Sequence, residues 1–361
     1  MSVIRELQIT GVRNLQQVEL QSHPHFNLIH GANGSGKTSL LEAIHLLGLG
    51  RSFRTAQTDS LINHERDEAV VFVRLSDNHK LGISRGRRDR QRLKLDDQVQ
   101  SNWDRVAALL PILVLDANAF LLLEGGPGSR RQFMDWGVFH VEPDFLAQWR
   151  RTRKCLANRN QLLKGSRPDR QQLKVWDREL CAAAELVDKA RNRYLDALLP
   201  EFARVYQALV PDAPFALALE YHRGWPAGES LLQVLEDHHA QDVRYRATQF
   251  GPQRADLAIR AGKQKAVEVL SRGQQKMLVI ALKIAQGRLL SLSQERLCCY
   301  LVDDLPAELD ADNRAAVMRY LVEQESQLFV TSVSREAVLE GLDKATEMAA
   351  FHVERGKIRS G

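Results

Sequence analysis

A chain of 361 residues, 44% hydrophobic and 26% charged, carries enough apolar mass for one large domain or two modest ones, each with its own core. Its 50 Lys and Arg against 45 Asp and Glu leave a formal charge of +5, too small by itself to establish a nucleic-acid partner, so where the cations cluster matters more than their sum. No apolar run approaches the roughly 20 residues of a membrane span and the first residues lack an export-signal pattern, which points to a soluble, cytoplasmic protein without a membrane partner.

Along the first thirty residues Val3, Leu7 and Ile9, then Val18 and Leu20, then Phe26 and Leu28 alternate with polar positions, the period of half-buried strands. The third strand runs into Gly31-Ala32-Asn33-Gly34-Ser35-Gly36-Lys37-Thr38, after which Leu40, Leu41, Ile44 and Leu47 recur at helical spacing. A glycine-rich turn of the form GxxxxGK[ST] between a strand and a helix closes backbone N–H groups around phosphates, with the helix N-terminus facing them. Lys37 is expected to bridge the β- and γ-phosphates of ATP, and Thr38 to give its hydroxyl to Mg²⁺.

A second β-rich stretch, 69–99, turns at Gly86-Arg87-Arg88-Asp89-Arg90. Its segment 81–95 gathers Arg85, Arg87, Arg88, Arg90, Arg92 and Lys94 against the single acid Asp89. From about 144 to 206 the composition shifts to Leu, Ala, Arg, Glu and Gln with 3.6-residue periodicity, broken at Gly165-Ser166-Arg167-Pro168; this predicts two antiparallel helices joined by a turn. Their first helix and turn hold Arg150, Arg151, Arg153, Lys154, Arg159, Lys164, Arg167 and Arg170 against Asp169 alone. One basic run is often only a solvated face, but two such runs predict DNA binding directed mainly at the phosphate backbone and steeply weakened by salt.

After Gly251-Pro252 the chain returns to strand, helix and strand. Leu270-Ser271-Arg272-Gly273-Gln274-Gln275-Lys276 stands before a helix whose Leu278, Ala281, Leu282, Ala285 and Leu289 share one face. Ser271, Gly273 and Gln274 then sit at a helix N-terminus suited to a γ-phosphate, with a Ser-capped helix as the plainer alternative. The adjacent Cys298 and Cys299 lead into an apolar strand and read as buried thiols. That strand ends in Asp303 and Asp304, expected to serve the Mg²⁺ shell and to polarise the attacking water. This element resembles the acidic strand end of ABC-type ATPases, where the second acid is mostly Glu; because Asp304 is one methylene shorter, hydrolysis is expected to be slow. Ala307-Glu308-Leu309-Asp310 follows and resembles the segment of ABC-type ATPases that crosses the dimer seam, which implies a place there for Asp310; Thr331 stands after the next strand, Leu328-Phe329-Val330, where the same resemblance implies a switch histidine.

The motif before that helix is close to the LSGGQ signature of ABC-type ATPases. Gly50-Arg51-Ser52-Phe53-Arg54-Thr55, the run from Gly126 to Asp135, the run from Asn158 to Lys164 and the run from Gly251 to Leu257 add a narrower likeness. Together the chain resembles, over essentially its whole length, the RecF family of bacterial recombination and repair ATPases. Gln253 and Ala255 depart from that family's pattern. The resemblance implies an α/β, SMC-like ABC-type P-loop head with an inserted helical arm, divided as 1–110 (head), 111–245 (arm) and 246–361 (head). It also implies an ATP-dependent homodimer in which each signature closes over its partner's ATP, binding to single-strand/double-strand DNA junctions, and work with RecO and RecR to bring RecA onto gaps. A transporter ATPase subunit and an ATP-controlled nuclease of the overcoming-lysogenisation type are rival readings; the first lacks a recognisable surface for a membrane partner, and the second has only a short tail after Asp310 in place of a nuclease module.

Overall fold

The structure, a computed structural model, describes residues 2–55, 58–87, 91–166, 168–304, 309–343 and 345–360. Strands β1 (Ile4–Val12) and β2 (Leu15–Gln21) form a hairpin, and β3 (Phe26–His30) feeds the glycine loop that opens helix α1 (Lys37–Leu49). Strands β4 (Glu68–Leu75), β5 (Lys80–Gly86), β6 (Arg92–Leu95) and β7 (Gln98–Gln100) extend the hairpin into an antiparallel sheet of order β2-β1-β4-β5-β6-β7. Burial alternates along β4, with Val71, Val73 and Leu75 inward, as the period of two requires of a sheet with one covered face. Helix α2 (Asp104–Leu109) then leads into β8 (Ile112–Leu115).

Contacts divide the chain into two compact units, 1–119 with 280–361, and 120–279. The second unit opens with α3 (Pro127–Val141), α4 (Phe145–Leu163) and the 40-residue α5 (Arg170–Leu209); α4 and α5 pack along one another as the anticipated helical hairpin. Strand β9 (Leu217–His222) follows, then α6 (Leu231–Asp237), α7 (His239–Tyr245), β10 (Asp256–Ala261), β11 (Gln264–Lys265), α8 (Ala266–Val269) and the start of α9 (Arg272–Gln294). The sequence reading ends the arm at 245, whereas the compact unit runs to 279. Sheet pairing is the reason: β10 is hydrogen-bonded antiparallel to β9 from Asp256↔His222 to Ala261↔Leu217, which ties this later segment to the helical unit.

The first unit is completed by β12 (Cys299–Val302), α10 (Ala311–Val322), β13 (Gln327–Ser332), α11 (Arg335–Leu339), β14 (Ala349–Glu354) and β15 (Lys357–Ser360). Its second sheet has the order β15-β14-β3-β13-β12-β8, parallel except at the β15 edge. β12 and β13 are buried at every position, the pattern of central parallel strands covered on both faces. Helix α1 touches strands of both sheets and shares one core with Ile9, Val71, Leu301 and Phe329. That explains why α1 is buried nearly all round rather than along the single stripe its sequence spacing suggests. Cys298 and Cys299 are buried free thiols, and burial pushes both well above the usual thiol range. No helix among the described residues is long and apolar enough to cross a membrane.

One member of the predicted basic run is a core residue. Arg159, on α4, has no exposed surface; its Nε donates to Asp177 Oδ1 at 2.6 Å, its Nη1 to Thr248 Oγ1 at 2.8 Å, and Nη1 lies 2.6 Å from Asp242 Oδ2. Removing a buried cation leaves its carboxylates uncompensated, which costs about 3–5 kcal/mol. Arg159→Ala should therefore lower the unfolding free energy by about that amount, whereas the triple exchange Arg159→Met, Asp177→Leu, Asp242→Leu should recover most of it. Tryptophan fluorescence in denaturant reads this, because four of the five tryptophans (Trp136, Trp149, Trp176, Trp225) lie in the unit that holds Arg159; a loss of under about 1 kcal/mol in the single variant would refute the account.

Candidate nucleotide site and signature helix

The loop between β3 and α1 has the backbone that its glycines permit. Gly31, Gly34 and Gly36 have φ of +153°, +75° and +122°, and a Cβ on Gly31 would stand 2.2 Å from Val353 O of β14. Gly36 caps α1 without any side-chain acceptor, so the first N–H groups of the helix remain directed at the loop. Lys37 Nζ donates to Gly31 O at 2.8 Å and Ala32 O at 3.0 Å, while the buried Ser35 hydroxyl meets no partner. Burial lowers the Lys37 pKa from its ordinary value, and the nearby Asp304 and Asp303 carboxylates oppose that shift. A concentration of backbone donors, one cation and one unspent hydroxyl fits a polyphosphate.

The β1–β2 turn braces this loop. Asn14 Nδ2 donates to Gly34 O at 3.0 Å and its Oδ1 accepts from Ser39 Oγ at 2.9 Å; Arg13 grips Glu42 of α1 through two bonds of 2.9 Å. A cleft of about 580 Å³ opens here, lined by Asn33, Gly34, Gly36, Lys37, Thr38 and Asp304 together with Arg13, Arg54 and His64. Sequence reading did not single out Asn14 or Arg13 for this role, because the signal is a turn adjacent to the loop in space and distant along the chain.

Beyond Lys37 the acids converge. Asp303 Oδ1 accepts from Thr38 Oγ1 at 2.9 Å and from Thr331 Oγ1 at 2.8 Å, and the same Thr331 oxygen accepts from the Asp304 backbone N–H at 2.9 Å. Asp304 adopts a left-handed conformation, φ +51°, which turns the chain out of β12 just where its side chain lines the cleft. Thr331 therefore sets both acids, a part its failure to match the expected histidine concealed. Burial raises Asp303 above the ordinary carboxylate value, against the hydrogen bonds from Thr331 and Thr38. Thr38 and Asp303 supply hard oxygen donors side by side, which fits Mg²⁺: such ions are held by one or two protein oxygens and otherwise by phosphate and water.

In the second unit, α9 begins with a reciprocal cap: Gln274 N–H donates to Ser271 Oγ at 3.3 Å and Ser271 N–H to Gln274 Oε1 at 2.9 Å. Gln275 is tied underneath, its Nε2 donating to Leu270 O at 2.8 Å and Val267 O at 3.1 Å. Ser271, Arg272 and Gly273 remain exposed above it, and a Cβ on Gly273 would meet nothing within 4 Å. The capped helix and the exposed signature are thus the same structure. Asp310 likewise caps a helix, accepting from Asn313 N–H at 2.9 Å at the start of α10, which lowers its pKa.

A model of the RecF/RecN/SMC N-terminal domain family matches residues 3–358. The DNA replication and repair protein RecF of Pseudomonas entomophila (strain L48) is 45% identical over 359 residues, covering 98% of this chain and 97% of that protein. The RecF of Pseudomonas fluorescens (strain SBW25) is 46% identical over the same span. This chain belongs to the RecF family. Among solved structures, the recombination mediator protein RecF with ATP, of the RecFOR pathway, superposes with a TM-score of 0.86 at 23% identity, covering 100% of this chain and 98% of the other. The Smc head domain from Pyrococcus furiosus follows at 0.60 and 17%, covering 100% and 96%. The fold is therefore that of an SMC-like ABC-type ATPase head.

Two of the stretches that first suggested the RecF family, 126–135 and 251–257, meet in the second unit. Arg130 pairs with Asp256 through bonds of 2.7 and 3.0 Å, Arg131 Nη1 donates to Ala255 O at 2.6 Å, and Arg191 Nη1 donates to Pro252 O at 3.0 Å. The predicted cations divide. Arg92 and Lys94 lie on the exposed face of β6, while Leu93 and Leu95 are buried. Arg87 is exposed, but Arg85 is drawn inward by Gln91 at 2.9 Å and Asp59 at 3.3 Å. Arg150, Arg153 and Lys154 are exposed on α4, and the exposed Arg151 is ion-paired with Glu179. Arg88, Arg90, Arg167, Ala307 and Glu308 lie outside the described residues.

The raised Asp303 pKa carries a linkage sign. The folded head holds a proton there more tightly than the unfolded chain, so this group's contribution to stability falls as pH rises from the ordinary value of 3.8 through the higher folded one. At neutral pH the ionised carboxylate is disfavoured by its burial, and a cation bound there would offset that. Asp303→Asn should consequently raise the melting temperature of the nucleotide-free protein at neutral pH and abolish the additional rise that Mg²⁺ gives with ATP. A melting temperature lower than wild type without nucleotide, or an unchanged Mg²⁺ response, would contradict this.

Proposed function

We propose that this chain is an ATP-driven homodimer that binds DNA and releases it through slow ATP hydrolysis. The reading is supported above all by the exposed, reciprocally capped Ser271–Gln274 turn. It offers a helix N-terminus and a serine hydroxyl to a phosphate, while the loop with Lys37, Thr38, Asp303 and Asp304 carries the other half of such a site. Each signature then closes on the γ-phosphate held by its partner, so ATP becomes part of the dimer contact.

In this scheme Lys37 leaves the Gly31 and Ala32 carbonyls for the β- and γ-phosphates, and the Gly31–Gly36 backbone N–H groups hold the remaining oxygens. Thr38 and Asp303 hold Mg²⁺, which supplies charge neutralisation on the phosphate oxygens. Asp304 orients the attacking water, and its short side chain keeps turnover slow; Gln274 and Asp310 belong to the same seam. DNA contacts come from Arg85, Arg87, Arg88, Arg90, Arg92 and Lys94 and from Arg150, Arg151, Arg153 and Lys154, with those engaged internally exchanging such partners for phosphate. Hydrolysis is weak and DNA-dependent. Binding at single-strand/double-strand junctions, with RecO and RecR as partners in bringing RecA to gaps, follows the family, and a solved relative is described as a mediator in the RecFOR pathway.

Light scattering separates this from a monomeric ATPase. Wild type should double its mass with Mg²⁺ and ATP; Ser271→Arg should bind ATP with unchanged affinity yet stay at the monomer mass. Normal ATP-dependent dimerisation of Ser271→Arg would defeat the shared-site geometry. For DNA, affinity should drop steeply between roughly 50 and 200 mM salt, and replacing Arg92, Lys94 and Lys154 together by Gln should reduce the slope of log K against log salt by about 3. A slope indifferent to those three residues would remove them from the DNA face.

A further inference from the structure

A cleft of about 360 Å³ in the second unit, separate from the nucleotide loop, lies among α3, α4 and α5 and the segment from Pro252 to Gln253. Its size falls in the range of small-ligand pockets. Trp149 is held in it at a fixed angle: its Nε1 donates to Asp135 Oδ2 at 3.3 Å, and Asp135 is in turn gripped by the buried Arg191 at 2.9 and 3.0 Å. Leu156, Val187 and Pro252 add apolar wall. The charge is lopsided. Asp135 offsets Arg191, whereas Arg131 spends one Nη on the Ala255 carbonyl and Arg153 stacks its guanidinium 4.8 Å from the Trp149 ring centre, and neither is ion-paired among the described residues. Two of the lining residues carry a buried polar atom without a partner among the described residues: the hydroxyl of Thr152, a residue only 4% exposed, and Gln253 Oε1.

We infer that this cleft takes one unstacked nucleobase of single-stranded DNA, stacked on Trp149, with an adjoining phosphate on Arg131 and Arg153. The inference rests on the DNA reading above and names a strand preference within it. An aromatic face beside guanidinium groups is the arrangement that holds single strands, because every base has a π-face and every linkage an anion. An acidic peptide with an aromatic side chain offers a ring and a carboxylate only where its sequence happens to place them, whereas every nucleotide carries a ring beside an anion, which favours the strand.

The test measures anisotropy of a labelled short oligodeoxythymidylate, of the same backbone carrying abasic sites throughout, and of a blunt duplex, all at one salt concentration with ATP. Wild type should bind the base-bearing strand about tenfold more tightly than the abasic strand. Trp149→Ala should lose that advantage while keeping its duplex affinity, and Trp149→Phe should retain most of it. Equal wild-type binding of base-bearing and abasic strands overturns the inference without reference to any variant, and leaves the DNA reading intact if duplex binding remains salt-sensitive. So does a Trp149→Ala variant that distinguishes the two strands as wild type does, or an acidic aromatic peptide that binds in a Trp149-dependent way while the strand does not. Absence of wild-type binding to all three DNAs would instead remove the DNA reading itself.

Discussion

One carboxylate oxygen organises the candidate nucleotide site of the head. Asp303 Oδ1 receives the hydroxyl of Thr38, at the start of α1, and that of Thr331, on β13, while its own residue continues from β12; three segments far apart in sequence are thereby fixed to one point. The Asp303 backbone N–H extends the same joint by donating to Leu115 O of β8 at 2.8 Å. An ionised acid in that position is unfavourable on burial alone, so the fold tolerates a local cost for the sake of a site that favours a cation. Lys37, whose pKa burial lowers where burial raises that of Asp303, sits on the other side of this balance.

The covering of α1 by two sheets gives that joint its precision. A helix buried on one face could shift on its support, but α1 is enclosed among Ile9, Val71, Leu301 and Phe329, and at its N-terminus Asn14 and Arg13 clamp both the loop and Glu42. Phosphate recognition by backbone N–H groups has no long side chains to adapt with, so a displacement of the helix is a displacement of the site.

What the sequence made legible follows from how local each signal is. The strand, the glycine loop and the helix of the nucleotide motif are consecutive residues with a fixed spacing, and the signature declares its own capped helix through Ser271 and Gln274. The buried span of β12 and the helical hairpin of α4 and α5 were equally plain from hydrophobic period and from the break at Gly165 to Pro168. What was hidden depends on pairing between distant segments. Thr331 looked like a lost histidine until its hydroxyl was seen between two acids; Arg159 read as one more surface cation because neither Asp177 nor Asp242 is near it in sequence; and the extent of the second unit hinges on β9 meeting β10.

The arginines of the second unit show why counting charge along a chain is a poor guide to a binding face. Arg130, Arg159 and Arg191 each satisfy carboxylates or backbone carbonyls inside the unit, and each joins pieces that the chain order separates: α3 to β10, α4 to α5 and α7, α5 to α3. Guanidinium suits this work because its rigid fork can satisfy a carboxylate through two bonds while sparing a nitrogen for a carbonyl, as Arg191 does between Asp135 and Pro252. Once these structural cations are set aside, the exposed members of the two basic runs include Arg92 and Lys94 on β6 and, in the other unit, Arg150, Arg153 and Lys154 on α4 near Trp149. Cations beside an aromatic residue, as on α4, can discriminate between nucleic-acid forms, which a uniform belt of arginine cannot, since phosphates present the same charge on every strand.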